Sequence, residues 1–216
     1  MKEYVPFVDV RAVFEKTGAA MYFSHLDLSR AVSRALRRSK LNIWLTEGFS
    51  PRPHLVFTPP LPLGYESTCE IMDFRLNLGA RLDIDAFESA FPPALKVRDV
   101  YFPETKLKDI AFAKYSINFS SNADENELTK LFSEPVMMVK RTKRSEANVD
   151  ITKFIKDIDI TKNDGIINMV VTLSCSGTES LSPAYVINAI TEGGFEVTAL
   201  SVCRSAFYSD SMEIFR

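Results

Sequence analysis

Phe7-Val8-Asp9-Val10-Arg11-Ala12-Val13-Phe14, closed by Lys16-Thr17-Gly18 and followed by Ser24-His25-Leu26-Asp27-Leu28, is the stretch from which the fold is read. Its first eight residues alternate in the period of two that marks a half-buried strand, and Gly18 ends them with a turn signal. The period then changes. Leu28, Ala31, Val32, Ala35 and Leu36 fall on one helical face behind Ser24-x-x-Asp27, a capping-box pattern in which Asp replaces the usual Glu. Arg30, Arg34, Arg37 and Arg38 take the opposite side.

Working outward, residues 41–45 read as a short strand. Gly48-Phe49-Ser50-Pro51-Arg52-Pro53 must be irregular, because proline has no N–H to donate and restricts the residue before it. Residues 54–58 extend again until Pro59-Pro60-Leu61-Pro62-Leu63-Gly64. A strand follows over 68–78, a helix over 84–91 and a strand over 96–102. The order is β-α-β-β-α-β, the ferredoxin-like pattern, with a proline-rich excursion over 48–64.

After residue 105 the same order recurs: strand 113–119, helix 124–132, strand 136–141, a connecting stretch through 150–155, strand 166–174, helix 182–191 opened by Ser182-Pro183, and strand 195–207. The expected fold is therefore α+β, two tandem ferredoxin-like (βαββαβ) halves, pseudo-duplicated, one over 1–104 and one over 105–216. Element order alone carries the repeat, since identity between the halves is negligible.

The 216 residues are 46% apolar and 25% charged, the composition of a folded protein with material for two small cores. Residues 1–10 hold Lys2, Glu3 and Asp9 and no apolar core of the secretory kind, and no run reaches membrane-span length, so a cytoplasmic protein with no membrane partner is expected. Cys69, Cys175 and Cys203 are odd in number and far apart, which supports neither a disulfide framework nor a metal knuckle. No cofactor and no metal are expected. Net charge is −2 but unevenly spread: residues 24–64 carry six bases against two acids, residues 65–104 four against eight. A polyanion site would lie on one face.

The densest polar residues lie in Phe23-Ser24-His25-Leu26-Asp27-Leu28, in Glu47-Gly48-Phe49-Ser50-Pro51-Arg52-Pro53 and in Pro60-Leu61-Pro62-Leu63-Gly64. These motifs, in this order around an Arg-rich helix, resemble a family of radical-SAM-linked proteins of unknown function, found beside or fused to radical SAM proteins. The resemblance runs more weakly through Lys140-Arg141, Asp150-Ile151 and Ser182-Pro183 to Arg204-Ser205-Ala206-Phe207-Tyr208, where the ending departs in detail. It implies a radical SAM protein as partner, and it implies no reaction.

Read residue by residue, His25 at a helix start is the candidate general base and equally a structural imidazole held by a loop carbonyl. Ser24 is the candidate N-cap. Glu47 suits acid catalysis or a salt bridge, and Arg52 between two prolines is a stiff guanidinium suited to phosphate. Arg30, Arg34 and Arg38, with Lys140, Arg141 and Arg144 in the second half, form two basic clusters able to track phosphates. The reading placed first is an RNA-binding accessory protein, holding tRNA or rRNA for a separately encoded radical SAM enzyme and itself no enzyme. The alternatives are a protein-only adaptor that docks that enzyme, and a metal-independent endoribonuclease using His25.

Overall fold

The computed structural model describes residues 6–141 and 146–216. The chain is α+β, with four α-helices among the described residues. It divides into two compact units, one running to Leu107 and taking in Arg216, the other Lys108–Phe215.

In the first unit, β1 (Phe7–Lys16), α1 (His25–Arg38), β2 (Leu55–Phe57), β3 (Glu66–Asn77), α2 (Ile84–Ala90) and β4 (Lys96–Tyr101) follow in turn. The strands lie in the order β4-β1-β3-β2, and every pairing is antiparallel. The alternation read in β1 has its expected result. Val10, Ala12 and Phe14 enter a core with Leu28, Val32 and Leu36 of α1 and with Met72 and Phe74 of β3. Phe74 stacks parallel to Phe87 of α2 at 5.4 Å, and Phe14 meets Phe91 edge-on at 5.5 Å. Each such ring contributes about 1.5–3 kcal/mol on burial.

On the other face of the sheet Arg11 is fully buried, opposite Asp73 in the register. Its Nε and Nη2 donate to the two oxygens of Asp73 at 2.7 and 2.8 Å, and Nη1 donates to Thr105 Oγ1 at 2.8 Å. Such a fork satisfies a guanidinium that could not be buried alone.

Residues 41–45, expected as a strand, form only isolated bridges, Ile43 to Leu76 and Leu45 to Pro53. They share the outer edge of β3 with β2, which pairs Leu55 with Phe74. Between them Pro51 and Pro53 have no N–H with which to continue a ladder. The result is a tight excursion closed by Thr46 N–H donating to the Arg52 carbonyl at 2.8 Å. Gly48 turns its tip at φ +118, a conformation costly for any residue with a Cβ.

The second unit holds β5 (Phe112–Ser120), α3 (Glu125–Ser133), β6 (Met137–Arg141), β7 (Glu146–Asp150), β8 (Ile155–Asn163), β9 (Ile166–Ser174), α4 (Pro183–Glu192) and β10 (Thr198–Tyr208). Its strand order is β10-β5-β9-β8. Here one expectation is corrected. The strand over 136–141 is not the neighbour of β9; it pairs with β7 in a separate hairpin, and the neighbour of β9 is β8, which touches the expected connecting stretch only at Ile155 and otherwise lies where no element is expected. The missed signals were local: Ile158 and Ile160 alternate with polar residues, and Asp164-Gly165 follows them. Both turn residues have positive φ, +49 and +79, as a two-residue hairpin loop of type I′ requires.

Candidate functional site

Helix α1 begins where the sequence marks it. Ser24 is the N-cap: its Oγ accepts from Asp27 N–H at 3.1 Å and donates to Asp27 Oδ2 at 2.6 Å, so Asp27 holds the cap rather than the backbone. With Leu28, Val32, Ala35 and Leu36 buried, helical spacing puts Arg30, Arg34, Arg37 and Arg38 on the exposed side. Arg37 and Arg38 lie in the last turn, where cations complement the helix dipole. Both also reach carbonyls of neighbouring elements: Arg37 donates to Pro51, and Arg38 to Ala90 at the end of α2 at 3.2 Å. No carboxylate pairs with Arg30, Arg34 or Arg52 among the described residues.

The Arg37 contact ties the proline-flanked excursion to the C-terminal end of this stripe. Glu47, Gly48, Phe49, Ser50, Pro51 and Arg52 are all exposed, and Phe49 is 110% exposed, more than in an extended peptide. A phenyl ring fully in water on a stiff loop contributes nothing to the core. Glu47 shares the exposed tip.

At the other end of α1 the motifs converge on a buried polar seam. His25 is exposed but sets its ring edge-on to Phe57 at 5.5 Å. Around it Lys16, Phe23, Thr58, Leu61 and Glu70 line a hollow of about 10 Å³, room for one water at most. Lys16, Thr58 and Glu70 are 2–4% exposed. Lys16 Nζ donates to the Met21 carbonyl at 3.2 Å, and Gly64 N–H donates to the same carbonyl at 3.1 Å. The Pro-Leu-Pro-Leu-Gly segment is thus pinned to the loop that enters α1. The two motifs share one structural knot although they are distant in sequence. The burial of Lys16 and Glu70 is not legible in the sequence because a charged residue on a strand looks solvated until its partner strands are known, and Thr58, just past β2, carries no local signal of its own.

His54 follows the excursion and faces Trp44 edge-on at 6.3 Å. Burial first, then the nearby Arg75 guanidinium, lower its pKa from the ordinary 6.5, with Asp9 opposing. The native imidazole therefore resists protonation. Stability from this group is complete above about pH 6.5 and is lost as pH falls through the lowered native value, because the unfolded chain takes up the proton more readily. Urea unfolding followed by Trp44 fluorescence should show less stability at about pH 5.5 than at about pH 7.5, with a smaller loss in His54→Asn. Equal losses in the two proteins would refute the assignment.

The second basic cluster is not assembled in the same way. Lys140 is half-buried, donates to the Ser180 carbonyl at 2.7 Å and lies 4.8 Å over the Phe154 ring, a structural engagement. The Arg141 side chain and all of Arg144 lie outside the described residues. Among the described residues no three His, Cys, Asp or Glu side chains group as metal ligands, and no helix is long and apolar enough to cross a membrane.

The family model described as "Uncharacterized protein conserved in bacteria (DUF2344)" matches residues 10–183. No curated protein matches the sequence. A solved structure similar to this chain, "Crystal Structure of an Unknown Protein from Galdieria sulphuraria", is 11% identical, with 90% of this chain and 98% of that one covered and a TM-score of 0.26.

Proposed function

The chain belongs to this family, which occurs beside or fused to radical SAM proteins, and from that premise we propose that it is an accessory protein presenting RNA, tRNA or rRNA, to its radical SAM partner in the cytoplasm. The observation that carries the reading is the stripe on α1. Arg30 and Arg34 stand exposed without a carboxylate, beside a proline-stiffened loop that carries Arg52 and a wholly exposed Phe49. Guanidinium groups that track phosphates, with an aromatic ring for a base to stack on, are what single-stranded RNA requires of a protein surface.

Each unit is read as one ferredoxin-like fold and the pair as a pseudo-duplication, with halves 1–104 and 105–216. Support comes from the strand orders. With the β6–β7 hairpin set aside, both units run β-α-β-β-α-β, and both place their fourth strand beside the first, the first beside the third and the third beside the second. The knot around His25 then serves to hold α1 and the excursion in place, and no catalysis is assigned to it.

RNA crosslinking in cells tests the proposal. Wild-type protein should yield a discrete RNA species that disappears in Arg34→Glu/Arg38→Glu/Arg52→Glu and persists in His25→Ala. Absence of crosslinked RNA from the wild type would overturn the reading. An RNA cut by the wild type and left whole by His25→Ala would replace it with a nuclease.

A further inference from the structure

Within the second unit, α3 and α4 end side by side. A Cβ on Gly193, the C-cap of α4, would lie 3.5 Å from Leu131 Cδ1 of α3. Beside these ends runs a groove of about 500 Å³, the size of an ordinary binding cleft. Its floor is apolar, with Leu131, Val136, Met138 and Ala189, and Met137 stands 53% exposed at its side. Methionine is flexible and polarisable, and suits surfaces that must fit a partner's side chains.

The rim is acidic. Glu127, Glu134 and Glu192 line it against Lys130. Glu127 already accepts from Asp124 N–H in the capping box of α3, but Glu134 and Glu192 stand exposed at the last turns of the two helices. Those ends carry the negative poles of both helix dipoles, and α4 has no basic residue in its last turn to offset its own. Phosphate is repelled by such a rim, which disfavours nucleic acid there. A lysine or arginine side chain is attracted.

We propose that this groove docks a segment of the radical SAM partner that presents apolar side chains flanked by basic ones. The proposal rests on the accessory role put forward above and adds where the partner binds. The division of labour follows charge: the basic stripe on α1 takes the polyanion, and the acidic, apolar groove takes the polypeptide.

The test is titration calorimetry of the full chain with a purified radical SAM protein from the same organism. Met137→Glu should weaken binding at least tenfold, and Glu134→Lys/Glu192→Lys should do the same; all three positions are exposed, so the fold persists. Lys130→Glu, which removes the rim lysine, should tighten binding, a gain that damage to the fold would not produce. Arg34→Glu/Arg38→Glu/Arg52→Glu should leave the affinity within about twofold. The proposal is overturned if the wild type does not bind the partner, if the groove variants bind as it does, or if only the α1 variant loses binding. Failure of the RNA reading registers separately, in the crosslinking experiment.

Discussion

Asp73→Ala should destabilise the first unit by about 3–5 kcal/mol, toward the lower end because water reaches the carboxylate. Arg11 Nε lies 2.7 Å from Asp73 Oδ1, with the guanidinium side chain 0% exposed and the carboxylate 16% exposed. Removing the acid leaves a buried cation without the two-oxygen fork, for which the contacts to the Thr105 hydroxyl at 2.8 Å and the Thr105 carbonyl at 3.0 Å do not substitute, since neither carries a charge. In the wild type burial pulls the Arg11 pKa down while Asp73 and Tyr101 push it up by more; without Asp73 the guanidinium still carries its charge at neutral pH, because arginine is the most basic side chain, and it cannot escape by neutralising. The double variant Arg11→Met/Asp73→Leu should recover most of the loss, because two apolar side chains leave no charge stranded. The protein has one tryptophan, Trp44, packed 5.2 Å from Phe7 in the first unit, so urea unfolding followed by its fluorescence isolates that unit's transition from the other's. Equal midpoints for wild type and Asp73→Ala would show that the pair contributes nothing.

Charge reversal on the stripe should act chiefly on binding. In Arg34→Glu/Arg38→Glu/Arg52→Glu, affinity for a single-stranded RNA should fall on the order of 100-fold at about 0.1 M salt, and the slope of log affinity against log salt should become shallower by about 2, as three lost phosphate contacts at roughly 0.7 each require. The three side chains are exposed, so the unfolding midpoint should move only by what Arg38 contributes through its contact to Ala90 and its place at the end of α1, about 1 kcal/mol. An unchanged salt slope with weakened binding would mean that these arginines do not meet phosphates. Phe49→Ala separates the second component: affinity should fall while the salt slope stays, since stacking releases no counterions.

Much of the first unit was legible before the structure. The alternation from Phe7 to Phe14, the cap at Ser24 and the apolar face from Leu28 to Leu36 are short-range signals, each decided by residues within a few positions of one another. The arginine stripe followed from the same periodicity, because a helix face opposite a buried one must be exposed. In the second unit β8 was equally local, with its alternating isoleucines and its Asp-Gly turn. Its place is hidden in the sequence because the strand over 136–141 follows α3 first, and only pairing decides which of the two lies beside β9.

What lay beyond any local signal was pairing and burial. A lysine at position 16 or an arginine at position 11 reads as solvated until β3 is laid beside β1 and supplies Asp73 opposite Arg11. The Met21 carbonyl receives Lys16 and Gly64 together only after the chain has closed a long loop. The α3–α4 groove likewise depends on two helix ends meeting, at Leu131 and Gly193. Sequence alone determined which segments form helices and strands and which face of α1 carries charge, since those depend on near neighbours. Tertiary structure decided which charges are buried, which strands pair and where a groove opens, because those energies belong to contacts between residues far apart in the chain.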